Sequence, residues 1–311
     1  MKSLKIVFMG TPQFAVSSLD RLIRDGHEIV GVITAPDKKG GRGMRQMIQS
    51  AVKKAALKRE IPILQPTNLK DSDFIEQLER LRADLFVVVA FRMLPKVVWQ
   101  IPRLGTINLH GSLLPKYRGA APIHWAIIRG EPFTGLTTFK IQQEIDTGDI
   151  IDQVVVPIEE HDTTGTLHNK MMEIGAILLS KTVRKLAEGP VVFQKQNSSL
   201  ATSAPKLFHG NTRIDFTLSA REVYNFIRGL SPWPVAWTSF DDKEVKIYSA
   251  SIAREAAPLL PREIFTNNKN QLLIGTRDYP VRIESLKMSG KKIMGIRDFL
   301  NGYRITGKSV E

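Results

Sequence analysis

The stretch INLHGSLLPKYRGAAP, residues 107–122, joins an amide, an imidazole and a hydroxyl to two glycines and a short apolar run. If TINLH (106–110) is a strand, the two-residue side-chain period sends Asn108 and His110 to one face, where the strand stops. An amide N–H there can stabilise the negative charge that builds on a carbonyl oxygen attacked by an amine, without a proton changing hands. An imidazole alongside exchanges protons near neutral pH. Gly111 permits a sharp turn, and Leu113, Leu114 and Pro115 make an apolar wall suited to a flat ligand. A carboxylate to orient the imidazole is available in QQEIDTGDI (142–150), which carries Asp146 and Asp149 around Gly148. Together these residues suit acyl transfer to an amine. A core Asn and His that are simply hydrogen-bonded, beside an ordinary acidic turn, fit the same residues.

Other chemistries have less support. The opening GTPQFA turn lacks the three glycines of a dinucleotide site, and the only acid after EIVGVIT is Asp37, inside a basic loop. Ser112 lacks the G-x-S-x-G setting of a serine hydrolase, and the acidic spacing does not follow a twelve-residue calcium loop. With no cysteine there is no disulfide framework and no thiolate ligand or nucleophile. His27, His124, His161, His168 and His209 have no setting comparable to that of His110 and read as surface or packing residues.

The elements that must position these residues follow from periodicity. LKIVFMG (4–10) is a strand; Thr11 is the expected N-cap and Pro12 the first residue of a helix that Gly26 ends. EIVGVIT is a second strand, DSDFIEQLERLR a helix and DLFVVVAF a buried strand. TINLH, LTTFKI (136–141) and IDQVVVPI (151–158) continue the strands, and 164–189 reads as a long helix. This alternation predicts an α/β fold with a Rossmann-like, doubly wound parallel sheet, whose sites lie beyond the carboxyl ends of its strands. Residues 190–205 lose periodicity and read as a linker between a domain over 1–189 and another over 206–311. In the latter, a helix at SAREVYNFIRGL precedes WTSF, EVKIYSASI, QLLIGT and VRIESLKM, the pattern of a small antiparallel β-barrel.

The 311 residues carry a net charge of +13, with +7 in residues 1–205 and +6 in 206–311, so both halves attract a polyanion. Charge is densest in KKGGRGMRQMIQSAVKKAALKRE (38–60), where Lys38, Lys39, Arg42 and Arg45 lie in a glycine-rich, flexible part and SAVKKAALKRE reads as a helix. One account is a solvated loop and helix face; the other is a mobile basic loop that closes on a phosphate backbone. No apolar run approaches the roughly 20 residues of a bilayer span, and the N-terminus lacks a secretory h-region.

The stretch INLHGSLLPKYRGAAPIHWAI, followed by TGLTTFKI and DTGD, resembles the signature of the formyltransferases that use 10-formyltetrahydrofolate. The resemblance extends through IVFMGTPQFAV, PDKKGGRG, SPWPVAWTSF and SGKKIMGIRDFLNG, over nearly the whole chain. It implies that Asn108, His110 and Asp146 are the catalytic set and that Ser112, Leu113, Leu114 and Pro115 line the folate site. Initiator methionyl-tRNA is the implied acceptor, held by the loop of Lys38, Lys39, Arg42 and Arg45 and by a C-terminal domain similar to an OB-fold. It further implies a cytoplasmic, monomeric enzyme that uses no metal. The same resemblance leaves a sugar-nucleotide formyltransferase as a rival, without need of the basic loop. A non-catalytic RNA-binding protein and a folate hydrolase are further rivals. Three positions depart from the family pattern: Arg92 in VAFRMLP and Val235 after PWP replace glycines, and Ala51 replaces a proline. Arg92 falls beside the expected folate pocket.

Overall fold

The computed structural model describes residues 2–40, 43 and 46–310. Along the chain run β1 (Lys5–Gly10), α1 (Gln13–Arg24), β2 (Glu28–Ile33), β3 (Lys38–Gly40), β4 (Gln46–Ile48), α2 (Ala51–Leu57), β5 (Ile63–Leu64), α3 (Ser72–Arg80) and β6 (Leu85–Val89). They are followed by α4 (Lys96–Trp99), β7 (Thr106–His110), β8 (Arg118–Gly119), α5 (Pro122–Ile128), β9 (Phe133–Lys140), β10 (Ile150–Pro157), α6 (Thr164–Glu188) and β11 (Ser203–Ala204). The remainder comprises α7 (Ala220–Leu230), β12 (Ala236–Phe240), β13 (Lys243–Ile252), β14 (Ile264–Thr266), β15 (Leu272–Ile274), β16 (Val281–Met288), β17 (Met294–Gly295) and α8 (Ile296–Gly302). The chain forms two compact units: one holds residues up to Gly119, Thr134–Val156 and His168–Ser203, the other Ala120–Phe133, Pro157–Leu167 and Ala204 onward. The second unit thus takes two segments from within the stretch 1–189.

In the first unit, seven strands run in the order β10-β9-β7-β6-β1-β2-β5. The strands of LFVVV and its neighbours are buried on both faces, which is why they read as unbroken apolar runs. Pairing is parallel from β5 through β7, but β9 is antiparallel to β7, so the sheet is mixed where an all-parallel one was expected. Strand direction leaves no trace in hydrophobic periodicity, and α5 between β7 and β9 imitates a parallel crossover. The first helix also starts one residue later than expected: Pro12, with ψ 174°, is its N-cap, and Thr11 lies outside. Ser50 and Asp71 cap α2 and α3 by accepting the N–H of Lys53 and of Phe74.

In the second unit, β12-β13-β16-β15-β14 form an antiparallel sheet with β17 added to β16. No pairing joins β12 to β14 among the described residues, so the expected barrel is a half-barrel. Helix α7 supplies a wall instead: it packs on β12, β13 and β16, and its Val223, Ile227 and Leu230 enter a core with Phe216, Phe240 and Phe299. The α7 guanidinium of Arg228 donates to Glu159 O (3.2 Å) and Asp162 O (2.8 Å), which draws the 157–167 segment into this unit. Helix α5 approaches α7 at Gly229, where a Cβ would lie 2.7 Å from Ile128. Val235, a β-branched residue that is nearly fully buried, is held at φ +80°. Among the described residues no helix is long and apolar enough to cross a membrane.

Candidate active site

Strand β7 lies between β6 and β9, with Asn108 opposite Val88 and Phe139 and with His110 opposite Thr137. The period of two aims both side chains to one face at the carboxyl end of the strand. The His110 ring is buried, and Phe139 meets it edge-on at a centroid distance of 6.5 Å. Its Nε2 lies 2.8 Å from Tyr117 O, an acceptor, so Nε2 carries hydrogen and donates. Nδ1 faces Asp146 Oδ2 at 3.6 Å, beyond hydrogen-bond length but within ion-pair range, and both side chains are nine-tenths buried or close to it.

Asp146 sits between β9 and β10 in the left-handed region, φ +54°. Its Oδ2 accepts the Gly119 N–H at 2.9 Å. Gln196 Nε2 donates to the backbone carbonyls of Asp146 (2.8 Å) and Gly148 (2.7 Å), and Arg118 donates to Gln196 Oε1 through Nη2 (2.7 Å). Glycine is required at 148 because a Cβ there would stand 1.7 Å from Lys140 O. Asp149, the other acid of the turn, contributes a carbonyl to Lys140 N instead of joining His110.

Asn108 Oδ1 is buried with no hydrogen-bond partner. A buried unsatisfied polar group costs about 1–3 kcal/mol, which a ligand group at that spot would offset. The two ends of an amide exchange by a half-turn, so either its N–H or its oxygen can face such a group.

The wall at 112–115 is fixed by its own hydrogen bonds. Ser112 Oγ donates to Lys116 O, and Thr137 Oγ1 donates to Ser112 O (2.7 Å) while accepting Leu114 N–H (3.1 Å). Gln153 Nε2 donates to Leu114 O and Thr137 Oγ1, both at 2.9 Å. Ser112 and Leu114 are buried, and Leu113 and Pro115 present the half-exposed apolar surface.

The expected flexible basic loop is partly built as a ribbon. Lys39 pairs with Met47 and Lys38 with Ile48 across β3 and β4, and both lysines are exposed. Arg42 and Arg45 lie outside the described residues. Asp37, the acid that sequence reading left unexplained, accepts Lys53 Nζ at 2.6 Å and Gln65 Nε2 at 2.9 Å at the base of the ribbon. These hydrogen bonds, from Lys53 first, hold its carboxyl below the usual carboxylate range. Arg92 donates to the carbonyls of Thr67 (2.9 Å) and Pro66.

Two other histidines have partners of their own. His27 is buried, accepts Leu4 N–H at 3.3 Å and is held below the usual imidazole range by burial. His209 stacks on Trp237 at 4.4 Å and meets Glu244 at 2.9 Å. Sequence reading misses Tyr117, which accepts from His110, and Gly119 and Gln196, which donate to Asp146. Their contacts run through backbone groups, which no side-chain pattern advertises. No group of three His, Cys, Asp or Glu able to hold a metal occurs among the described residues.

Residues 4–183 match the formyl transferase family model, and residues 206–304 match the formyl transferase C-terminal domain. The chain is 46% identical to a methionyl-tRNA formyltransferase of Bacteroides fragilis, over 98% of this chain and 97% of that protein. It is 49% identical to the enzyme of that name from Flavobacterium psychrophilum, over 97% of each. Among solved structures, an N-formyltransferase from Helicobacter canadensis in complex with folinic acid and dTDP-3-aminofucose superposes with a TM-score of 0.69 at 22% identity, covering 90% of this chain and 98% of that one, a likeness of fold. Matched along both of its parts and to relatives of the same length, the chain belongs to the formyl transferase family, among the methionyl-tRNA formyltransferases.

Proposed function

We propose that the enzyme transfers the formyl group of 10-formyltetrahydrofolate to the amine of methionine on initiator methionyl-tRNA, for translation initiation, as a cytoplasmic monomer. The observation that carries this reading is the meeting of the His110–Asp146 pair with the unsatisfied Asn108 amide at the end of β7. The folate supplies the formyl carbon that the amine attacks. Asn108 turns its N–H to the oxygen on which negative charge develops, a placement that fits its missing partner. His110 Nδ1 takes and returns the protons released by the amine and required by the departing nitrogen, and Asp146 orients the ring and balances its charge. Tyr117 O holds Nε2, leaving Nδ1 as the working nitrogen.

Ser112, Leu113, Leu114 and Pro115 hold the folate, through the apolar surface of Leu113 and Pro115 and the rigid backbone between them. Lys38, Lys39, Arg42 and Arg45 neutralise acceptor-arm phosphates. Residues 1–189, apart from the 120–133 and 157–167 segments that belong to the second unit, form the catalytic domain, 190–205 the linker, which folds with it up to Ser203, and 206–311 the tRNA-binding domain.

The test is formyl transfer from 10-formyltetrahydrofolate to charged initiator tRNA by wild type, Asn108→Ala, His110→Ala and Asp146→Ala. Wild-type transfer with losses of about 10²–10⁴ in each variant supports site and substrate together. Transfer to a small amine but not to tRNA would keep the chemistry and reject the acceptor.

A further inference from the structure

The stretch 190–205 has no sustained hydrophobic period, yet three of its residues are tied to the surroundings of His110. Gln194 exchanges both backbone hydrogen bonds with Ile150, at 2.9 and 2.8 Å. Thr202 accepts Tyr117 N–H on its hydroxyl (2.9 Å) and Arg118 N–H on its carbonyl (2.9 Å). Between them, Gln196 is the one residue from 192 to 200 that is not exposed. Its side chain turns inward and uses both ends: the NH₂ bridges the carbonyls of Asp146 and Gly148, and the oxygen accepts Arg118. A left-handed aspartate costs free energy and persists where its surroundings over-determine it. Two donors from one amide on the carbonyls of 146 and 148 supply that determination, beside a Gly148 packed so closely on Lys140 O that a Cβ would not fit.

We infer that Gln196 is a positioning residue for the formyl transfer reaction, acting through Asp146 by holding its backbone so that the carboxylate faces His110. Its side-chain hydrogen bonds go to Asp146, Gly148 and Arg118 and not to His110, and the inference rests on the proposed role of Asp146. Misplacement of a catalytic group by about 1 Å costs up to ~10²-fold, so the variant is expected to lose rate and to keep substrate binding.

The experiment compares Gln196→Met, which keeps size and removes both hydrogen-bonding ends, with Gln196→Glu, which keeps the contact with Arg118 and loses the donors. Single-turnover formylation of initiator methionyl-tRNA with excess enzyme keeps slow variants measurable, and thermal melts report folding. Both variants are expected to fold, to lose about 10- to 100-fold in kcat and to keep KM for each substrate within about twofold. Each is also combined with Asp146→Ala, where the Gln196 change is expected to cost nothing further, because its effect passes through the missing carboxylate. A folded Gln196→Met with wild-type kcat would overturn the inference while leaving Asp146 in place. Losses that multiply with Asp146→Ala would overturn it too, by showing that Gln196 acts elsewhere. A fully active Asp146→Ala would remove the catalytic set and this inference with it.

Discussion

The surroundings of His110 and the basic ribbon β3–β4 belong to one compact unit and are held in opposite ways. At His110, side chains from β9, β10, the 142–149 turn and the 194–202 stretch end on backbone groups, so the loops they touch have several independent ties. On the ribbon, Lys38 and Lys39 point into solvent, and one carboxylate, Asp37, gathers the anchors at its base. Proton handling at a reacting carbon needs fixed geometry, because rate falls steeply with displacement. Capture of a polyanion needs charge within reach, because Coulomb attraction tolerates movement. The proposed division of labour follows the two modes of support.

Four outcomes would sharpen or break this contrast. The largest belongs to Gly148→Ala, since the new Cβ would overlap Lys140 O and push the Asp146 turn away. A kcat loss of about 10²-fold or more is expected, and near-normal turnover would show the turn to be adaptable. Next comes Thr137→Val, which strips a buried hydroxyl from Leu114 N–H, Ser112 O and Gln153. It should destabilise the protein by about 2–4 kcal/mol in denaturant unfolding, because buried groups lose their partners; an unchanged midpoint would mean the wall stands without it.

Lys38→Ala with Lys39→Ala should weaken binding of initiator tRNA several-fold and leave the melting temperature unchanged. The slope of log K against log salt should flatten by about 1 for each lysine that meets a phosphate. An unaltered salt slope would take the ribbon out of tRNA capture. The smallest effect is a titration. Because Lys53 and Gln65 lower the Asp37 pKa, its contribution is fully present above the ordinary carboxylate value and fades as pH falls through the lower, folded value. Carboxyl NMR shifts should therefore place the Asp37 midpoint below the usual ~3.9 in wild type and nearer to it in Lys53→Met. Equal midpoints would leave the ribbon base without its main tie.

The sequence was most informative where short-range rules apply. Period two put Asn108 and His110 on one face, and the buried run at 85–89 located the strand beside them. Asp146 came from family resemblance, and the fold explains its neighbour Gly148 by a backbone approach from Lys140, at the end of β9. Gln196 was invisible because it reaches back 50 residues to Asp146 from a polar run in which every glutamine reads as surface. The antiparallel β9 was misread because direction depends on how the chain returns, and a helix-containing return suits either sense. Asp37 stands out in the sequence only as the one acid after the second strand; its partners on α2 and after β5 are neighbours only once the sheet has formed.

Val235 sets strain against burial. A β-branched residue at φ +80° bears about 1–3 kcal/mol of backbone strain. The same buried side chain returns about 1.5–3 kcal/mol by leaving water. The two terms nearly cancel, so exchange between this valine and the glycine of the family pattern is close to neutral. Such a position can hold either residue at similar stability, so the valine needs no compensating change elsewhere in the fold.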